Sequence, residues 1–194
     1  SIGQIILPTA WTGIAAALIN GGRTCHSRFG LPVPYENEST SRITGQSEEA
    51  ALLRNAKIIM CDESSMIPGF FLVELDRLLR DLTSIDKPFG DKIILLSGDF
   101  RQTLPIFPKM TKDEVILNTI CKVDKLWNMF EHVRLRINMR ANANDREFID
   151  WLELLGNGEL PRTNGLSKYT IRLPDECLIN GHFNEQTGKH DVAN

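Results

Sequence analysis

Short apolar runs that stop on acidic residues constrain this chain more than any other feature. Lys57 to Cys61 is such a run and ends at Asp62-Glu63, and Ile93 to Leu96 ends at Gly98-Asp99. Both are short enough for strands buried inside a parallel sheet. Ile5-Ile6-Leu7 is a third run and stops at Pro8. Helical patterns lie between them. Gly13 to Asn20 is alanine-rich and is stopped by Gly21-Gly22. Glu48 to Asn55 reads as a short helix after a polar surface loop from Pro34 to Gln46. Leu72, Leu75, Leu78, Leu79 and Leu82 recur at helical spacing and form one apolar stripe. Ser64 or Ser65 is placed to cap that helix, with Pro68 in or near its first turn. Strands alternating with helices predict an α/β fold with a mostly parallel sheet.

After about Lys109 the pattern changes. Val115 to Ile120 and Leu126 to Phe130 read as helical, and Val133 to Ile137 as a further strand. Phe148, Trp151, Leu152 and Leu155 form a helical stripe ended by Gly156-Asn157-Gly158. The remaining C-terminal stretch is polar, weakly patterned and read as irregular. The expected division is a first domain over 1–140 and the start of a helical or irregular region over 141–194.

Composition excludes little. The chain has 194 residues, 42% hydrophobic and 24% charged, which suits a globular core. No apolar run approaches the roughly 20 residues of a membrane span, and no signal peptide is read at the start. A strand-like run without an initiator Met suggests that the chain begins inside a domain. The net charge of −3 means that any nucleic-acid site must be a local patch. Cys25, Cys61, Cys121 and Cys177 form no C-x-x-C pair, which argues against zinc and fits a reducing intracellular compartment.

Three segments carry chemistry. In IIMCDESSM, residues 58–66, two adjacent acids follow a strand, where α/β sheets bind ligands. One acid can hold Mg²⁺ and the other can orient or deprotonate a water. Alone, the plainer reading is preferred: acids that end a strand or start a helix. LLSGDFRQTLPIFPK, residues 95–109, again runs from apolar to polar, with Asp99, Arg101 and Gln102 near the same sheet edge. A glutamine there can meet a γ-phosphate or the attacking water; the alternative is a turn with a solvated arginine. In TAWTGIAAALINGGRTCHSRFG, residues 9–30, Thr12-Gly13 opens a helix whose N–H groups suit a phosphate. Arg23, His26 and Arg28 supply charge, and Phe29 a stacking face. The alternative there, a helix cap, a basic loop and one core Phe, is preferred on this segment alone.

In this order the segments resemble the Pif-family DNA helicases of superfamily one, which include rolling-circle transposon helicases. The matching residues are Thr12 to Ala16, Gly21 to Phe29, Asp62 to Met66, Asp99 to Pro105, Asn138-Met139-Arg140 and the LLGNGELP of 154–161. The GDFRQ-x-LP element is the most specific. Trp11 departs from the small residue usual before the threonine. The resemblance implies an incomplete RecA-like P-loop NTPase domain and a 5′-to-3′ DNA helicase that uses ATP and Mg²⁺. It implies roles in DNA repair, recombination and telomere maintenance, with single-stranded DNA and single-strand/duplex junctions as partners. It also implies an intracellular place of action, the nucleus or mitochondrion in a eukaryote. Asp62 would hold Mg²⁺, Glu63 would activate water, and Asp99 would belong to the nucleotide site. Gln102 would sense the γ-phosphate and Arg140 would serve as arginine finger. Thr12, Gly13, Arg23, His26 and Phe29 would line the DNA path. Without the resemblance, Arg140 reads as one surface arginine in the stretch Arg134, Arg136, Arg140.

No G-x-x-x-x-G-K-[ST] occurs in the 194 residues; Gly188-Lys189 is followed by His190 and lacks the first glycine. The chain is therefore expected to be an interior piece of such an enzyme, inactive alone. The competing expectation is a non-catalytic remnant that at most binds single-stranded DNA.

Overall fold

The computed structural model describes residues 3–140, 145–161, 170–177, 183–184 and 189–190. Its contacts divide it into two compact units, 1–133 and 134–194, so the division falls seven residues before the expected 140/141 boundary.

The first unit is built on a four-stranded, all-parallel sheet in the order β2-β1-β3-β4. The strands are β1 (Ile5–Ala10), β2 (Arg23–Thr24), β3 (Ala56–Asp62) and β4 (Ile93–Leu96). Register aligns Ala10 with Asp62 and Cys61 with Leu96, so these strands end along one edge. Helices α1 (Gly13–Leu18) and α2 (Cys25–Arg28) flank β2, and α3 (Glu48–Asn55) leads into β3. Each starts on a hydroxyl cap: Thr12, Thr24 and Ser47 accept from the backbone three residues on.

The long helix α4 (Gly69–Thr83) carries the predicted leucine stripe, and Leu72, Leu75, Leu78 and Leu79 are buried with Phe29, Leu53, Ile59 and Phe71. Its start differs from the expectation. Pro68 stands at the N-cap, while Ser64 and Ser65 are buried in a separate 3-10 turn, Ser64–Met66. Proline is suited here because it needs no donor for the first turn. Gly69 then lets the helix approach residues 118–123: its N–H donates to the Asn118 carbonyl at 2.7 Å, and a Cβ would meet the Thr119 carbonyl oxygen at 2.9 Å.

Glu74, buried on α4, ties the polar 34–46 loop to the body. Its carboxylate accepts from Ser41 N–H at 2.7 Å and pairs with Arg77 at 2.8 Å. Beyond β4 come α5 (Lys112–Leu117) and α6 (Asp124–Trp127). A reciprocal capping box between Thr111 and Glu114 sets the start of α5 three residues before the expected one. β4 is an edge strand among the described residues, with Ile93 and Leu95 each 51% exposed.

In the second unit α7 (Arg146–Asn157) matches the predicted stripe and ends at Gly158 in the left-handed region. The strand expected over Val133–Ile137 is not formed. These residues have no regular structure, and Leu135 is 91% exposed. Alternating apolar and basic residues suit a strand only when a partner strand covers them. In the C-terminal stretch expected to be irregular, residues 170–174 have no regular structure, and the other described parts are a 3-10 turn at Asp175–Cys177 and a pair of two-residue strands, β5 (Phe183–Asn184) and β6 (Lys189–His190).

Gly90 gives a direct test of the packing between α4 and the turn before β4. It sits at φ +60°, and a Cβ would meet the Leu79 carbonyl oxygen at 2.6 Å. Gly90→Ala is expected to destabilise the unit by about 2 kcal/mol or more, from backbone strain plus backbone displacement. Denaturant titration followed by circular dichroism measures this; an unchanged midpoint would show that the turn relaxes freely.

Candidate nucleotide and nucleic-acid site

The parallel register assembles the site. Trp11 and Thr12 follow β1, Asp62-Glu63 close β3, and Ser97-Gly98-Asp99 follow β4, all at the carboxyl edge of one sheet. The ladder continues past the strands: Ser97 N–H donates to the Cys61 carbonyl at 3.0 Å and Ser64 N–H to the Ser97 carbonyl at 2.8 Å. Between those bonds the chain turns sharply at Glu63, which adopts the left-handed conformation at φ 53°, ψ 41°. Non-glycine residues held there store about 1–3 kcal/mol of strain.

Asp62 is half-buried, and its Oδ1 accepts from Ser97 Oγ at 2.6 Å. Its other oxygen takes no hydrogen bond among the described residues. Ser65 Oγ, two residues past Glu63, is buried with no partner. Gly98 lies against this turn, where a Cβ would come within 2.9 Å of both Ser64 N and Ser65 N. Asp99 is half-buried and is held below its ordinary carboxylate value, chiefly by Arg101, whose Nε lies 3.1 Å away, with a smaller contribution from Gln102. Gln102 is exposed, and its N–H donates to the Asp99 carbonyl at 3.0 Å. Asp62, Glu63, Asp99 and Gln102 thus share one edge. Arg140 lies in the second unit, exposed, with its N–H on Asn138 Oδ1 at 2.9 Å.

The expected DNA-facing residues separate. Thr12 caps α1 and Gly13 is open to solvent. Arg23 is exposed, on β2 beside Thr9. Phe29 has no face to offer a base: it is 0% exposed, with its ring 5.7 Å from Phe71. Its place after α2 turns it under the sheet, so the core reading of this phenylalanine is the correct one. Arg28 also points inward, with Nε buried and unpartnered. Burial lowers the His26 imidazole below its usual value, so at neutral pH it is an uncharged ring. Of the three basic residues expected to form a patch, Arg23 alone presents an exposed charge.

Sequence reasoning missed a buried polar link behind these residues. Thr9 Oγ1 lies 2.7 Å from the Met60 carbonyl and 3.2 Å from Cys61 Sγ, and Cys25 Sγ lies 3.6 Å from Thr9 Oγ1. Cys25 directly precedes His26, and Cys61 directly precedes Asp62. The three residues are far apart in the chain, and the pairing of β1 with β3 and with β2 brings them together.

A parallel sheet with paired acids at one strand end and a G-D-x-R-Q turn at the next is the layout of a RecA-like α/β domain. The profile of the PIF1-like helicase family matches residues 1–165, and the chain belongs to that family. It is 30% identical over 159 residues to the ATP-dependent DNA helicase RRM3 of Saccharomyces cerevisiae, covering 81% of this chain and 21% of that protein. It is 32% identical to the ATP-dependent DNA helicase Pif1 of Bdellovibrio bacteriovorus, covering 78% of this chain and 33% of that one. The chain therefore spans a third or less of these curated relatives. Pif1 helicase from Bacteroides in complex with ADP-AlF3 and ssDNA superposes with a TM-score of 0.68 at 26% identity, over 83% of this chain and 38% of that one.

The state of His26 has a measurable consequence. The unfolded chain takes up a proton near pH 6.5, whereas the folded chain resists it to lower pH. This contribution to stability is complete above the unfolded value and is lost as pH falls below it. His26→Phe keeps a ring and is expected to remove that part of the pH dependence. Thermal midpoints of both proteins between neutral pH and about pH 5 check this; equal slopes would mean that the imidazole titrates freely.

Proposed function

We propose that this chain forms part of the motor of an ATP-dependent 5′-to-3′ DNA helicase that acts on single-stranded DNA and its junctions with duplex. The observation that carries the reading is the shared carboxyl edge, where Asp62-Glu63 and Ser97-Gly98-Asp99 lie beside Trp11-Thr12, in a chain matched to the family over residues 1–165. Asp62 would hold Mg²⁺. Among the described residues its half-buried carboxylate keeps one oxygen free and the buried Ser65 hydroxyl on the same turn has no partner, which suits a hydrated cation needing one or two carboxylates. When bound with ATP, Mg²⁺ supplies positive charge against the phosphate oxygens.

Glu63, held by its turn, would orient and deprotonate water. Asp99 holds Arg101 and Gln102 on one turn, and the Gln102 side chain, hydrogen-bonded to Asp99, would report on the γ-phosphate by exchanging that partner. Arg140 would serve as arginine finger. The reading includes action inside the cell, in the nucleus or mitochondrion of a eukaryote, a setting compatible with four free thiols.

A second reading, a catalytically inactive remnant that binds single-stranded DNA, is favoured by the lack of any G-x-x-x-x-G-K-[ST] in the 194 residues. Without a phosphate cradle, Asp62 and Glu63 have no anchored substrate. The chain by itself is expected to show no turnover of Mg-ATP with single-stranded DNA. In any longer form that carries a phosphate loop, Glu63→Gln is expected to keep Mg-ATP binding and lose most turnover. Phosphate-release assays decide both: turnover by the chain alone, abolished by Glu63→Gln, would refute the first expectation, and turnover within a few-fold of the parent in the longer Glu63→Gln form would refute the second.

DNA binding by the chain is expected to be weak and selective for single strands. Each phosphate contact contributes about 0.7 to the slope of log affinity against log salt. Arg23→Ala is therefore expected to flatten that slope by about 0.7. A salt titration with a labelled oligonucleotide checks this, and an unaltered slope would take Arg23 off the phosphate path.

A further inference from the structure

Beside the strand ends lies an aromatic cluster that the roles above do not use. The Trp11 ring has its centroid 4.5 Å from His26, 5.6 Å from Phe71 and 6.0 Å from Tyr35. Phe71 anchors the indole to the core, yet Trp11 and His26 both remain partly exposed. Next to Trp11 the surface is open and apolar. A Cβ on Gly13 would have nothing within 4 Å, and Gly13 is not in the left-handed region, so neither packing nor backbone requires glycine there. Ile14 and Leu18, one turn apart on α1, are 81% and 84% exposed.

We propose that Trp11, backed by the ring of His26, is the base-stacking platform of this chain. It takes the part that the buried Phe29 cannot. A nucleobase of single-stranded DNA would lie on the exposed part of the indole, with the bare Gly13 leaving room for the adjoining sugar and phosphate. The polar groups that the fold brings to this end of β1 favour a nucleotide over an apolar peptide. Arg23 extends from the strand beside β1, in register with Thr9, and the Thr12 hydroxyl follows Trp11 directly. Base–aromatic stacking tolerates any sequence because every base has a π-face. The inference rests on the single-stranded DNA reading above, and its test separates the two.

The 194-residue chain carrying Trp127→Phe and Trp151→Phe keeps Trp11 as its one indole. Oligothymidylate is titrated into it, with the anisotropy of a labelled oligomer reporting binding and Trp11 emission reporting contact. Quenching that saturates together with the anisotropy is expected. Trp11→Leu should weaken binding about tenfold or more, whereas Trp11→Phe should retain most of the affinity. Circular dichroism confirms that the variants fold. Binding without any change in Trp11 emission, or a folded Trp11→Leu that binds as the parent does, overturns the platform and leaves DNA binding standing. No rise in anisotropy with the parent chain overturns DNA binding itself, and the platform with it.

Discussion

Gly98 has no room for a side chain, and the geometry of the acidic edge depends on that. Its backbone lies against the amide nitrogens of Ser64 and Ser65, where a Cβ would sit 2.9 Å from each. This approach lets the segment after β4 follow β3 past Asp62 through the bonds of Ser97 to Cys61 and of Ser64 to Ser97. Any larger residue would push Asp99 and Gln102 away from Asp62. The same ladder forces the chain to turn at Glu63, and the left-handed backbone there costs about 1–3 kcal/mol. Strain of that size persists only where the surroundings over-determine it, and here hydrogen bonds on both sides of the turn do so.

Behind the edge, Thr9 is the hinge of the packing. It is fully buried in β1 and meets the Met60 carbonyl, Cys61 and Cys25. A buried hydroxyl without partners would cost several kcal/mol, so this set of contacts fixes β1, β3 and the start of α2 relative to one another. One consequence is positional coupling. Cys25 carries His26 at its next residue, and Cys61 carries Asp62. A shift of β3 against β1 would move the aromatic face and the acidic pair together. Thiols serve well here because they fill an apolar core and still make weak polar contacts.

Much of the sheet was legible in the sequence because short apolar runs ending in polar residues have few other uses. β4 and α3 begin and end at the expected residues, and β3 extends one residue beyond its run at each end. The leucine stripe of α4 was legible by its period, but its cap was not. Ser64 and Ser65 are good cap residues in isolation; the β4 segment claims the Ser64 amide, which leaves the cap to Pro68. In the site, Asp62, Glu63, Asp99 and Gln102 fall together as expected because all follow parallel strands. Phe29 and Arg28 do not face outward. A helix of four residues does not reveal from sequence which side it buries, and the core under β1 takes both. The strand expected at Val133–Ile137 shows the limit of alternation as a signal, since pairing requires a neighbour.

With Arg28 turned inward and the His26 imidazole shifted down by burial, any hold of this chain of net charge −3 on nucleic acid would rest more on stacking than on charge. Charge attracts phosphates over a Debye length of about 10 Å at 0.1 M salt, and it does so for duplex and single strand alike. Stacking needs an unpaired base and acts only at contact. On the proposed reading, a face with the exposed Arg23 beside partly exposed aromatic and aliphatic surface would discriminate against duplex. It would also release a strand easily, because little long-range attraction would hold the strand once the base unstacked. On the proposed reading such a surface would suit a motor that grips and releases its strand, and the Thr9 contacts tie β1, which leads into Trp11, to β3, which ends at Asp62.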